Sequence, residues 1–400
     1  MQTKLTPLIQ TRPDSAEIER ILRSCVHCGF CNATCPTYNV LGDELDGPRG
    51  RIYLLKQVFE GSEVSKATQS HLDRCLTCRA CETTCPSGVR YGRLLDIGRG
   101  EVERQVPRSM RAKVVRFFVQ RVLPYRWRFK VLFSMAQRLR FLVPRSLRKK
   151  IPEVSTPSYC WPNTKHKRQV LLLEGCVQPA LAPAINLKVA TVLDKLAITP
   201  LKIKNEGCCG ALSHHLAAHQ QSTDFIKRNI DQWWPYVETG IEAIVSTASG
   251  CGVMIKDYGD IMQYDAVYAE KARRIATLTC DISELLLAEA IPASNTGQGT
   301  SVAFHNPCTL QHGQKVVNAV ETILQRQGYQ LLEIDGAQDC CGSAGVYSFL
   351  QRAISQRLLT EKISSLEVMK PDVIVTANVG CQTHLQSAST VPVTHWIDLL

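Results

Sequence analysis

The chain has 400 residues, 44% of them hydrophobic, and a formal net charge of +11. This suits a soluble globular protein of two or three domains, and no run of eighteen apolar residues is present to cross a bilayer. Eighteen cysteines are far from ordinary; Met1–Gln10 lacks the apolar region of a signal peptide, which argues against a disulfide framework and for a reducing cytoplasm.

Residues 1–24 read as a short helical lead-in, with Asp14 or Ser15 as N-cap and Glu17 in the first turn. Cys25–Pro36 then reads Cys-Val-His-Cys-Gly-Phe-Cys-Asn-Ala-Thr-Cys-Pro, and Cys75–Pro86 repeats the pattern as Cys-Leu-Thr-Cys-Arg-Ala-Cys-Glu-Thr-Thr-Cys-Pro. Between them Pro48 fits the first turn of a helix that Gly61 stops. Residues 1–105 are therefore expected to form a small, mostly helical domain.

Residues 106–165 form a basic insert and linker. Arg108–Lys150 holds fourteen Lys and Arg and no Asp or Glu, so the rest of the chain is close to neutral. Val115, Phe118, Val119 and Val122 recur at helical spacing, as do Phe129, Leu132, Phe133 and Ala136. Pro124 and Pro144 break the run, and Ile151–Lys165 closes it. Two short amphipathic helices with cationic faces are expected.

From residue 166 strands and helices alternate. Strands are expected at Val170–Leu173, Leu201–Lys204 and Ala243–Thr247, then at Ser301–Phe304, Gln330–Ile334 and Val373–Thr376. Helical periodicity fills the intervals, including Lys315–Gln327 and a stretch to Tyr236, with Trp233 and Trp234 assigned to the core. Thirty-one residues separate Cys176 from Cys208, and thirty-one separate Cys308 from Cys340. Cys208-Cys209-Gly210 and Cys340-Cys341-Gly342 then lead to Cys251 and Cys381. Two equal α/β halves follow, residues 166–297 and 298–400. The fold class is α+β multidomain: a helical ferredoxin-type domain, then two Cys-Cys-Gly halves.

The N-terminal runs follow C-x2-C-x2-C-x3-C-P, the spacing that binds paired [4Fe–4S] cubanes, with each fourth cysteine reaching the other cluster. That assigns Cys25, Cys28, Cys31 and Cys85 to one cluster, and Cys75, Cys78, Cys81 and Cys35 to the other. Zinc sites usually use two C-x2-C pairs with a longer gap. Gly29, Phe30, Thr37 and Tyr38 are read as cluster shields. For Cys176, Cys208, Cys209, Cys251, Cys308, Cys340, Cys341 and Cys381, three readings stand: redox disulfides, structural pairs, or ligands of a further iron–sulfur centre. His214, His215, His305, His312 and His384 lie near these cysteines and are read mainly as packing residues, a ligand role being the lesser alternative for each, with His384 kept as a candidate for the further site. The basic insert fits anionic lipid headgroups, an acidic subunit or a solvated linker; no nucleic-acid module is present. No G-x-G-x-x-G, G-x-S-x-G, H-E-x-x-H or Walker pattern appears, so no flavin or nicotinamide fingerprint lies on the chain.

Ser24–Gly61, His71–Gly92, the Cys-Cys-Gly pairs, Ala248–Gly252, His305–Lys315, Thr376–Leu385 and Val393–Leu400 resemble the iron–sulfur subunit family of bacterial glycolate oxidase. The resemblance implies a subunit that takes electrons from a flavin-binding partner oxidising glycolate to glyoxylate, with (R)-lactate as a further substrate. It implies transfer toward a membrane acceptor such as quinone, from the cytoplasmic side of the inner membrane. The eight N-terminal cysteines match that family's cluster ligands. More distantly, the layout resembles subunits of glycerol-3-phosphate dehydrogenase, lactate-utilisation proteins and heterodisulfide reductase. Met254 and His384 stand where the last of these has a fifth cysteine per half. The competing readings are a different flavin-linked donor, or an assembly protein with structural clusters.

Overall fold

A computed structural model describes residues 1–142, 160–204, 206–289 and 291–400. The Pro144 break, the basic residues from Arg145 to Lys150 and the linker through residue 159 lie outside the described residues.

The N-terminal region is helical because its apolar residues recur on single helix faces. Ile52, Leu55, Val58 and Phe59 of helix Pro48–Phe59 pack against Leu94, Leu95 and Val102 of helix Tyr91–Gln105. The helices cross closely at Gly98, where a Cβ would meet Leu55 Cδ2 at 2.1 Å. Two short helices, Phe30–Ala33 and Ala80–Thr84, lie side by side and each carries the third cysteine of its run.

The remainder builds two four-stranded parallel sheets of identical plan. The first comprises β1 (Arg168–Leu172), β2 (Ile198–Leu201), β3 (Ala243–Ser246) and β4 (Thr279–Asp281), in the order β2-β1-β3-β4. The second comprises β5 (Ser301–His305), β6 (Gln330–Leu331), β7 (Val373–Thr376) and β8 (Val393–His395), in the order β6-β5-β7-β8. Central strands are buried along nearly their whole length, as expected where helices cover both faces of a parallel sheet. Several expectations shift, and the strand expected at Gln330–Ile334 covers only Gln330–Leu331. β2 lies three residues earlier than expected and contains Pro200, which an edge strand tolerates. The helix expected from Lys315 begins at Ala319, after a π-helical turn at Thr309–Gln314. Trp233 is buried, but Trp234 bonds Glu238 at 2.7 Å and lies under Lys271, so it serves the surface rather than the core.

The halves share one apolar core, which joins Val170, Leu172 and Val245 to Val302, Phe304, Val375 and Trp396. The chain ends leaving β3 and β7 meet, with Ser249 N donating to Ala377 O at 3.2 Å. His395 Nε2 bridges to Thr247 O at 3.0 Å, and its Nδ1 accepts from Ile397 N at 3.3 Å. Burial pushes this imidazole down to about 4 from 6.5. A histidine with a lowered folded value contributes stability that is complete above 6.5 and is lost as pH falls toward 4. The loss amounts to on the order of 3 kcal/mol. Asp398, which burial pushes up to about 6, works in the opposite sense. His395→Gln keeps a donor without titrating, so its unfolding midpoint in urea should fall less steeply than wild type between pH 6.5 and pH 5. Parallel slopes would refute the role of His395.

Candidate metal centre

Each cysteine run wraps a loop that needs left-handed backbone at two places. His27 and Gly29 have positive φ in the first run, Thr77 and Arg79 in the second. A Cβ at Gly29 would meet Arg49 Nη1 at 2.7 Å. Arg79 accepts a strained conformation, about 1–2 kcal/mol above the usual one, and its guanidinium pairs with Asp257 across to the first half.

These loops collect the sulfurs into two groups. Cys25, Cys28, Cys31 and Cys85 line one pocket, closed by Ile52, Val89 and Tyr91. Cys35, Cys75, Cys78 and Cys81 line a second, with Arg51 and Thr37; Cys81 borders both. Each group therefore takes its outlying member, Cys85 or Cys35, from the other run. None of the eighteen cysteines is disulfide-bonded. Burial pushes the Cys31 thiol up to about 11 and those of Cys25, Cys78 and Cys81 upward as well. A metal replaces those protons outright. Soft donors and tight grouping fit an iron–sulfur cluster at each place. Thr37 is buried against Cys35, with Oγ1 3.3 Å from Sγ. Phe30, expected as a shield, is 63% exposed and lies with Val26 and Cys28 at the outer rim of the first group.

In both α/β halves the cysteines come from the carboxyl ends of strands, where open parallel sheets hold ligands. Cys176 follows β1, Cys208 and Cys209 follow β2, and Cys251 lies in the first helical turn after β3. Cys308, Cys340, Cys341 and Cys381 repeat these positions. The local support repeats too: Gly210 N and Gly342 N each approach the first sulfur of their pair at 3.5 Å. Ser222 Oγ and Ser355 Oγ each donate back to the glycine carbonyl, at 3.2 Å and 2.8 Å.

The two thiol sets differ in their surroundings. In the first half, hydrogen bonds from Cys208 and Cys251 hold Cys209 well below the usual thiol range; Cys208 is held above it by its bonds with Cys176 and then Cys209, and Cys251 by its bond with Cys209. Their pocket includes Glu206, absent from the sequence expectations, whose carboxyl accepts from Glu174 N and Gly175 N and is pushed by burial up to about 7. In the second half, Cys308 and Cys340 lie 3.9 Å apart, and Cys308, Cys340 and Cys341 are all held well above the usual range. Cys78 of the second N-terminal group packs in one apolar cluster with Cys340 and Cys308. His384 Nε2 lies 3.3 Å from Ser355 Oγ, while His305 stands beside Cys341 and Cys381. His214 and His215 instead flank Asp96, at 3.4 Å and 3.3 Å. Burial works to raise that carboxyl, yet the two imidazoles hold it well below its ordinary value. His312 pairs with Thr83 at 3.0 Å.

Comparison with known proteins agrees with this division. Residues 21–89 match the 4Fe-4S dicluster domain, and residues 170–256 and 302–386 each match the cysteine-rich domain. The chain is 49% identical to the glycolate oxidase iron-sulfur subunit of Escherichia coli K12 over 400 residues, covering 100% of this chain and 98% of that protein. It is 27% identical to the probable glycolate oxidase iron-sulfur subunit of Bacillus subtilis, covering 90% and 87%. Lactate utilization protein A of Anoxybacillus flavithermus is 26% identical over 49% of this chain and 82% of its own length.

Proposed function

The chain belongs to the glycolate oxidase iron–sulfur subunit family, and from that premise we propose that it is the electron-transfer subunit of a complex oxidising glycolate to glyoxylate. It takes electrons from a partner flavoprotein and passes them toward a membrane acceptor such as quinone. Cys25, Cys28, Cys31 and Cys85 hold one [4Fe–4S] cluster; Cys35, Cys75, Cys78 and Cys81 hold the other.

The observation that carries this reading is the serial placement of the sulfur groups. The first group opens at the surface beside exposed Val26 and Phe30, a rim suited to a partner subunit. Cys81 borders both N-terminal groups, and Cys78 of the second abuts Cys340. Bound at these places, clusters supply one-electron storage. The chain fixes their spacing, buries the cysteines of the second group and lends Arg51 beside Cys35 as a cation, 4.0 Å from its sulfur. Lactate is the second reading because the lactate-utilisation relatives share about half of this chain. Glycolate leads because its relative matches throughout. The assembled complex with its flavin subunit should show cluster reduction by glycolate in EPR, and less by (R)-lactate or glycerol 3-phosphate. Reduced flavin beside clusters that stay oxidised would overturn the relay.

Membrane contact rests on the basic insert. Helices Met110–Val122 and Arg126–Arg138 bury no residue at all. Met110, Phe117, Phe118, Trp127, Val131, Leu132 and Met135 are exposed beside Arg111, Lys113, Arg121, Lys130 and Arg138. The pair is moored from behind by Arg108 and Arg116 to Asp73, by Arg126 to Glu174 and by Tyr125 on Phe225. No helix of the described residues is long and apolar enough to cross a membrane. The chain is thus read as peripheral, on the cytoplasmic face of the inner membrane, with the hairpin in the headgroup layer. It should bind anionic vesicles, and Arg111→Gln or Lys113→Gln should each weaken binding roughly fivefold at low salt. Equal binding to neutral vesicles, or none after salt reduction, would move this surface to a protein partner.

A further inference from the structure

One histidine in the second half has no hydrogen-bonding explanation. His305 ends β5, is 1% exposed, and neither ring nitrogen has a partner among the described residues. Leaving such a group unsatisfied costs about 1–3 kcal/mol, so native cores retain one only for a reason. Its neighbours supply that reason. One ligand atom each from His305, Cys341 and Cys381 lie within 4.8 Å of one another, and all three residues are buried. They come from three separate segments: the end of β5, the Cys-Cys-Gly loop and the helix after β7.

The first half offers an internal control. His305 lies three residues before Cys308; the residue three before Cys176 is Leu173. Lys362, seven residues after Ser355, is 3% exposed and donates to Gly336 O and Ala337 O at 2.6 Å and 2.8 Å. Its counterpart, seven after Ser222, is the uncharged Asn229, which donates to Cys208 O at 2.9 Å. The second half thus gains a nitrogen donor at its thiols and a buried cation close by, in an otherwise repeated frame.

We propose that His305 ligates, through one ring nitrogen, an iron of an iron–sulfur centre in the second half, with Cys341 and Cys381 as thiolate ligands. This rests on the relay reading above and adds to it a centre whose donor set is mixed. Imidazole is neutral where thiolate is negative, so the reduced state is favoured and the midpoint potential lies above that of an all-cysteine centre. Placed beyond Cys78, such a centre suits the downstream end of the series.

The test uses the full chain with its flavin partner, grown with 15N-histidine and compared with unlabelled protein by pulsed EPR of the reduced state. A nitrogen hyperfine coupling that changes with the label and disappears in His305→Leu is expected. His305→Cys should keep the iron, lose the coupling and lower the midpoint potential, while His305→Leu should weaken iron retention in the second half tenfold or more. Wild-type protein without a label-sensitive coupling overturns the assignment and needs no variant to fold. So does a second half that holds zinc instead of iron. The signals of the N-terminal clusters and their reduction by glycolate are read in the same samples. If they are normal while the coupling is absent, His305 alone is refuted; if they are missing, the relay reading fails.

Discussion

Cys78→Ser is expected to remove one cluster, about four irons per chain, and to lower electron delivery from glycolate to a membrane acceptor by at least ~100-fold. Serine presents a harder, shorter ligand atom. At this position it also leaves a hydroxyl among Leu76, Ala80, Tyr347 and Leu358, where nothing compensates its desolvation. Position makes Cys78 more severe than other ligands: it faces its own group on one side and Cys340 on the other. The signal of the first group, around Cys28, should persist and still respond to glycolate, because that group faces the partner side. Cys160→Ser is the control, since Cys160 is exposed and belongs to neither N-terminal group. Iron content, EPR of both groups and acceptor reduction check the outcome. Full iron and unchanged delivery in Cys78→Ser would remove the second group from the path.

What could be read in advance follows the range of the interaction. The grouping of the N-terminal cysteines was legible because a C-x2-C-x2-C loop fixes three sulfurs locally and the proline turn sends the fourth outward. The repeat was legible because the interval from Cys176 to Cys208 recurs from Cys308 to Cys340. The outer strands β4 and β8 were not: Thr-Cys-Asp and Val-Thr-His are three residues long and carry no apolar run. They exist because the neighbouring strands offer unpaired backbone. His384 drew notice by occupying a C-x2-C position, yet it pairs with Ser355. His305 was noted near the cysteines but read mainly as a packing residue, because its closeness to Cys341 and Cys381 in particular is purely tertiary. A signal was present, however: aligning the halves sets His305 opposite Leu173, a polar residue at a buried strand end. Such an exchange within a repeat marks where the copies have taken different chemistry.

The second large effect is expected at Asp46. One short turn, Glu44–Asp46, meets one helix, Pro48–Phe59, through two ion pairs of very different burial. Glu44 pairs with Arg49 at 2.6 Å with side chains 41% and 36% exposed. Asp46 meets Arg51 at 3.5 Å, with exposures of 1% and 0%, and also holds His71 at 3.0 Å and Arg74 at 2.8 Å. Arg51 is further fixed to Thr37 Oγ1 by two bonds of 3.1 Å and to His71 O at 2.8 Å, directly behind Cys35. Water screens the first pair, so Glu44→Gln should cost no more than about 1 kcal/mol. Asp46→Asn leaves the volume intact but strips the anion from a buried guanidinium that cannot lose its proton. That should cost about 3–5 kcal/mol. Because Cys35 shares the same guanidinium, the Asp46 variant should also release iron from the second group earlier on heating, whereas the Glu44 variant should follow wild type. Urea unfolding of the loaded proteins, with iron release followed in parallel, measures both. Equal losses from the two substitutions would mean that burial does not set the strength of these pairs, and the account of how the second group is held would fall with it.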